Sequence, residues 1–203
     1  MNTALKRHPD LTRQKLLEAA FDEIHRSGFR AASLDAILET TGVTKGALYH
    51  HFGSKAELGY AVVEEMVRPF VEANWQPAMD APNVIDAAIR LCRELTEQRS
   101  ERTLECGCPF NNLINEMSPV DEGFRERLKS ILNDWREGIV RALRQGQLQG
   151  TVRRDVEPAA AAAFVIGAAE GCIGLAKANQ SREFLDAGMR GLIDYLEHLR
   201  PGT

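Results

Sequence analysis

The residues best suited to recognition chemistry form a short polar and aromatic cluster within the motif GVTKGALYHHF. Lys45 can donate to O6 and N7 of guanine, and the methyl group of Ala47 can contact the methyl group of thymine. Tyr49 and His50 can reach phosphates or base edges, and Gly46 allows a close approach of the backbone. This combination predicts contact with the groove of a DNA duplex.

Two short helices joined by a glycine turn are expected to position this cluster. The first begins after Ser33, whose hydroxyl can cap it, and ends at Gly42, where a left-handed conformation costs glycine little. Thr44 is the expected N-cap of the second helix, and Leu48 and Phe52, four residues apart, face inward. The arrangement predicts a helix-turn-helix whose second helix enters the major groove. Ser33 and Thr44 therefore join the expected DNA-binding residues.

The two adjacent histidines of the motif are of a residue type that can bind a metal ion. Neighbouring residues on a helix point about a quarter turn or more apart, so His50 and His51 cannot readily share one ion. His51 has two interpretations, an inward hydrogen-bonded histidine or a DNA contact, and the first is favoured. We expect neither a metal nor a cofactor.

The run GVTKGALYHHF, followed at once by GSKAEL, resembles the DNA-binding signature of the tetracycline-repressor (TetR) family. The resemblance covers roughly residues 10–60. It implies an all-α, dimeric regulator with a helix-turn-helix DNA-binding domain over residues 1–58 and an effector-binding and dimerisation domain over residues 59–203. The family usually contacts backbone phosphate at the position of Lys55, which is therefore also an expected DNA-binding residue.

Composition is that of an ordinary globular protein. The 203 residues are 44% hydrophobic and 27% charged, with a net charge of −4. Residues 1–58 hold eight Lys/Arg and seven Asp/Glu, net +1, which leaves seventeen and twenty-two, net −5, for residues 59–203. The opening residues lack the apolar core of a signal peptide, and four cysteines do not make a secreted disulfide framework. We expect a cytoplasmic protein with no membrane partner, in which the Ala-rich stretch 159–178 is a buried helix.

The second domain is expected to enclose an effector pocket, because the resemblance implies that small, often apolar ligands bind among its helices. Asn111 and Asn112 could orient a polar group of the ligand, since both are amides beside an apolar helix. The candidates for the pocket lining are Trp75, Cys92, Cys106, Phe110, Asn111, Ile114, Trp135 and Ile139.

Cysteines offer an alternative to a small-molecule effector. Cys106 and Cys108 lie in the segment 101–118, which looks like the least regular part of the second half. Their spacing lacks the second pair of ligands of a structural zinc site. The family that the sequence resembles includes members that sense oxidants or electrophiles through cysteine. A thiol-based repressor is therefore the alternative function. Against it, Glu105 disfavours the thiolate form of Cys106, and chemically inert cysteines are the simpler interpretation.

The last two predicted helices supply the expected dimer interface. One begins at Pro158 and carries three glycines that allow close backbone approach. The other follows a cap at Ser181 and repeats apolar residues every three or four positions, as in a coiled coil, at Leu185, Met189, Leu192, Leu196 and Leu199. The two helices either meet a symmetry mate in a four-helix interface or pack into the protein's own core. The resemblance favours the homodimer.

These observations favour a ligand-responsive transcriptional regulator, more plausibly a repressor than an activator, that binds a palindromic operator as a homodimer. An enzyme is disfavoured, because the sequence has no nucleophile elbow, Gly-rich phosphate loop or zinc-protease motif. A DNA-architectural protein without an effector is disfavoured by the length of the second domain.

Overall fold

The computed structural model describes residues 9–97 and 100–202, and every regular element in those ranges is helical. This confirms the expected all-α fold. The helices are α1 (Pro9–Ser27), α2 (Leu34–Thr41), α3 (Lys45–Phe52), α4 (Lys55–Val62), α5 (Arg68–Met79), α6 (Val84–Glu97), α7 (Ser100–Cys106), α8 (Pro109–Met117), α9 (Glu122–Gln149), α10 (Pro158–Asn179) and α11 (Arg182–His198), with a π-helical turn over Val63–Val67 between α4 and α5.

The described chain divides into two compact units. The first holds the residues up to Pro69 together with Leu113–Leu128, and the second holds Phe70–Asn112 and the residues from Lys129 onward. The division expected from sequence, after residue 58, falls inside α4. It differs from the observed division because α4 and the π-helical turn pack on α1 and bury their apolar side chains there.

The helix-turn-helix forms as its capping residues predict. The Ser33 hydroxyl accepts from the amide of Ala36 at 3.3 Å, and the Thr44 hydroxyl accepts from the amide of Ala47 at 3.3 Å. Gly42 ends α2 in the left-handed region at φ 67°. Leu48 and Phe52 are both buried, so α3 is fixed to the unit by one face only.

Residues 113–128 complete the first unit, although they are far from it in sequence. The Glu116 carboxylate accepts from the amides of Phe29 and Arg30 at 2.7 and 2.8 Å, in the turn after α1. The Phe124 ring lies 4.6 Å from that of Phe29. A Cβ at Gly59 would overlap both rings, so glycine is required where α4 passes them.

The segment 101–118 is largely helical, which corrects the expectation that it is irregular. Helices α7 and α8 occupy most of it and are separated by Gly107, which adopts φ 73°. Pro109 then opens α8, where a missing amide hydrogen costs nothing. The glycine and proline therefore act as a sharp break between two helices and do not disorder the segment.

The apolar seam of α11 packs inside the chain. Leu185, Met189, Leu192, Leu196 and Leu199 are each at most 5% exposed. The suggestion that this seam faces a symmetry mate is therefore wrong, and the alternative, packing into the protein's own core, applies to it. The predicted starts of α10 at Pro158 and of α11 after a Ser181 cap are confirmed.

Helix α10 is the one helix in the described ranges that is long and apolar enough to cross a membrane by length and composition. Core helices of globular proteins meet the same criteria, so this is weak evidence for a span. The residues of its inner face are buried, as expected for a core helix; they are Ala161, Val165, Ala169, Ile173 and Ala176. Its other face is only partly covered by this chain.

Candidate DNA-binding surface and effector cavity

Helix α3 presents most of the predicted DNA readers to solvent. Lys45, Gly46, Tyr49 and His50 are exposed, and Ala47 is half-buried. A Cβ at Gly46 would meet no atom within 4 Å, so another backbone can approach α3 closely there. The surface is therefore accessible, and the part that each side chain takes in DNA binding stays a prediction.

Ser33, Thr44 and Lys55 have structural partners within the first unit. The two hydroxyls cap α2 and α3 by accepting from the amides of Ala36 and Ala47. The Lys55 ammonium donates to the carbonyl oxygens of Arg30 at 3.1 Å and Ala32 at 2.7 Å. It thus fixes the turn before α2, and a contact with phosphate would add to this role.

A cavity of about 60 Å³ lies within the second unit. Its walls are mainly apolar and aromatic, and they include Phe70, Trp75, Leu91, Leu95, Trp135 and Ile173. The two indole rings are 4.8 Å apart. Trp75 and Trp135 are thus the two residues among the eight candidates that the structure places in the lining.

The other six candidates lie outside this lining. Cys92, Phe110 and Ile139 are buried core residues, and Phe110 packs against the Trp135 ring at 6.1 Å. Asn111 donates to the backbone oxygen of Glu170 at 3.4 Å. Cys106 is half-buried at the end of α7, and Ile114 belongs to the first unit. Helical periodicity identifies apolar faces but does not say which of them border empty space.

Sequence reasoning missed three polar residues of the lining, Asn74, Thr103 and Glu170, and named the fourth, Cys108, only as a thiol-switch candidate. For Glu170 a signal was present: it is the one carboxylate in the Ala-rich stretch 159–178, whose other residues include a single lysine. A charged residue within an apolar helix needs a partner or a function. Asn74 and Thr103 carried no comparable signal.

Glu170 is the main electrostatic feature of the cavity. It is 9% exposed, and burial raises the pKa of its carboxyl from 4.5 to about 7. The Cys108 thiol hydrogen bonds to this carboxyl, and burial together with the neighbouring charge raises the pKa of Cys108 well above its ordinary value. At neutral pH the pair consists of a neutral thiol and a partly ionised carboxyl.

Three polar atoms in the cavity wall are buried and have no hydrogen-bond partner among the residues that the structure describes. They are Oε2 of Glu170, Nε1 of Trp135 and Oδ1 of Asn74. Leaving such an atom unpaired costs about 1–3 kcal/mol, so buried polar groups are normally paired. The cavity therefore offers two acceptors and one donor to a bound molecule.

A helix-turn-helix with an exposed second helix, joined in one chain to a second helical unit, is the architecture of a DNA-binding transcriptional regulator. Comparison with known proteins agrees. The family described as "Bacterial regulatory proteins, tetR family" matches residues 16–62, and the family described as "Tetracyclin repressor-like, C-terminal domain" matches residues 86–192.

Two relatives and one solved structure illustrate the similarity. Transcriptional regulator AcuR of Cereibacter sphaeroides is 32% identical over 159 residues, which are 77% of this chain and 73% of that protein. The HTH-type transcriptional repressor DhaR of a Mycobacterium species is 29% identical over 194 residues, 94% of this chain and 93% of that protein. A TetR-family regulator from Cytophaga hutchinsonii shares the fold with a TM-score of 0.84 at 21% identity, covering 96% of this chain and 98% of that one.

The chain therefore belongs to the TetR family of transcriptional regulators. Members of this family bind DNA and form dimers, and the relatives above are named as regulators rather than enzymes.

Proposed function

We propose that this protein is a cytoplasmic, ligand-responsive repressor that binds a palindromic operator as a homodimer and is released by a small-molecule effector. The observation that carries the proposal is the presence, in one chain, of an exposed recognition helix and a cavity with unpartnered polar atoms. The relative DhaR is named as a repressor, which favours repression over activation.

In this proposal α3 reads the operator from the major groove. Lys45 donates to a guanine edge, the Ala47 methyl contacts thymine, and Tyr49 and His50 contact phosphates or base edges. Lys55 and the capped starts of α2 and α3, at Ser33 and Thr44, hold the DNA backbone.

The homodimer forms through the outer face of α10. Phe164 and Leu175 are 50% and 55% exposed there, which is unusual for large apolar side chains. Between them lie Gly167 and Gly171, where a Cβ would meet no atom within 4 Å. The spacings of three and four residues place all four on one helical face, and its shallow centre suits a close approach of the same helix from a second copy.

The effector acts by shifting a population. A ligand in the cavity must bind one arrangement of the dimer more tightly than the other, because only differential affinity changes an equilibrium. The arrangement it favours has a spacing of the two α3 helices that no longer matches the half-sites.

The thiol switch at Cys106 and Cys108 is the second candidate. Its support is the closeness of the two cysteines in sequence, both of which are free thiols. The raised pKa of Cys108 weakens it, since the thiolate is the reactive species and little of it is present at neutral pH. The ligand switch is therefore preferred.

One experiment separates these functions. Operator binding is measured by fluorescence anisotropy on DNA from the protein's own upstream region, in increasing salt, with scrambled DNA as the control. The proposal expects specific binding that persists after diamide treatment. Release by diamide that dithiothreitol reverses, and that is lost in the Cys106→Ser/Cys108→Ser double variant, would establish the thiol switch instead. If the upstream DNA is not bound, selection from a random-sequence library follows, and failure to select any site contradicts the regulator function.

A further inference from the structure

The cavity of the second unit has a charge character that narrows the chemistry of its ligand. Glu170 and the Cys108 thiol are its titratable groups, and no Lys, Arg or His is among the described residues that line it. Lys177 lies near Gly107, where an added Cβ would stand 2.9 Å from its Cδ, and its ammonium donates to Asn112 Oδ1 at 3.3 Å. An anion entering the cavity would therefore meet a carboxylate and no compensating positive charge.

The unpaired polar atoms of the cavity wall also favour a cationic ligand. Glu170 Oε2 and Asn74 Oδ1 both accept hydrogen bonds, and neither has a protein donor in the described chain. A protonated amine carries up to three donors and a positive charge, so it can satisfy both atoms and stabilise the ionised form of Glu170. The unpaired indole N–H of Trp135 can donate to one acceptor atom on the same ligand.

The aromatic wall suits the same ligand. Trp75 and Trp135 lie side by side, and an organic cation over an indole face gains about 0.5–2 kcal/mol, with the larger values where water is excluded. The small volume, about 60 Å³, favours a compact body over an extended one.

We propose that the cavity binds a compact organic cation, a small protonated alkylamine, with its ammonium group on Glu170 and Asn74 and its apolar body against Trp75 and Trp135. The assignment rests on the regulator function proposed above and names the class of effector that the regulator takes.

The test compares three small probes that share a two-carbon chain and differ in charge: ethylammonium, ethanol and acetate. They are titrated at pH 8 into the protein without DNA, with excitation at the red edge of tryptophan absorption. The signal reports on the cavity because the chain has two tryptophans and both line it. We expect ethylammonium to bind about tenfold more tightly than ethanol, and acetate to bind least.

Two variants check that the preference comes from one carboxylate. Glu170→Gln keeps the size and an acceptor but removes the charge, so it should reduce the affinity for ethylammonium about tenfold and leave that for ethanol unchanged. Glu105→Gln removes an exposed carboxylate from α7 and should change neither affinity. Thermal unfolding verifies that both variants are folded.

Binding of acetate as tight as that of ethylammonium, or an equal effect of Glu170→Gln on the ammonium and the alcohol, would overturn the inference. Absence of binding by all three probes would mean that the cavity holds water only, and would overturn it too. Operator binding measured on the same preparation separates this failure from that of the regulator function, which does not depend on the probes.

Discussion

At the scale of single residues, Glu170 couples the stability of the fold to its ligand site. Burial raises the pKa of its carboxyl from 4.5 to about 7, so the folded chain holds this proton more tightly than the unfolded chain does. The associated stability is fully present below pH 4.5 and is lost as the pH rises through about 7. The loss is on the order of 3 kcal/mol.

Glu170→Gln should remove this dependence, because a neutral amide resembles the protonated carboxyl. We expect the variant and the parent to have similar free energies of unfolding at pH 4, and the variant to be more stable by about 3 kcal/mol at pH 8. Urea unfolding at the two pH values measures the difference, with Glu105→Gln as the control. Equal differences at both pH values would show that this carboxyl has the same pKa in the folded and the unfolded chain.

Lys45 is the residue from which we expect sequence discrimination. Its side chain is exposed at the start of α3, where it can reach a base edge without unfolding any packed contact. Lys45→Ala should reduce the preference for guanine at one operator position by about 1–3 kcal/mol and leave the stability unchanged. Anisotropy titrations against operators with single base changes test this, and Lys129→Ala, an exposed lysine of α9, is the control for lost charge. A uniform weakening on all operators would assign Lys45 to phosphate.

At the scale of elements, the turn between α1 and α2 depends on a carboxylate from α8. Glu116 accepts from two successive amides, of which that of Phe29 is part-buried. Glu116→Ala leaves both without this acceptor and should lower the free energy of unfolding by about 1–3 kcal/mol. Glu116→Gln keeps one amide oxygen and should lose less. Urea unfolding measures both variants, and equal losses would mean that the charge, not the acceptor, stabilises the turn.

The elements also show what the sequence could predict. Caps and turn residues act over a few positions, so Ser33, Gly42 and Thr44 were identified correctly, and α3 follows from them. The contact of Glu116 with a turn more than eighty residues away was beyond such reasoning, because it depends on how distant segments pack. The cavity was found only in part for the same reason. Its two tryptophans belonged to visible apolar stripes, whereas the place of Asn74 is defined by helices that meet it from elsewhere in the chain.

At the scale of the whole molecule, the apolar stripes of the last two helices differ in whether the chain itself buries them. The apolar stripe of α11, which has the coiled-coil spacing, is buried in the core of the chain. The apolar stripe of α10, which contains two glycines, stays exposed to solvent. Regular spacing alone does not distinguish these cases, since a core and an interface both bury apolar side chains. The difference is that Phe164 and Leu175 remain about half exposed in the single chain, at a cost that a second copy can remove.

Leu175→Glu should therefore convert a dimer into a monomer, because pairing would bring two buried carboxylates towards each other across the two-fold axis. Leu148→Glu is the matched control, since Leu148 is 83% exposed on α9 and lies outside the proposed interface. Sedimentation equilibrium gives the mass of each variant, and anisotropy on a palindromic operator gives its affinity. A monomer holds a single recognition helix, so the loss of the dimer should also abolish tight binding to the two half-sites while the fold, followed by circular dichroism, stays helical. If Leu175→Glu remained a dimer of unchanged affinity, the interface would have to lie elsewhere on the chain.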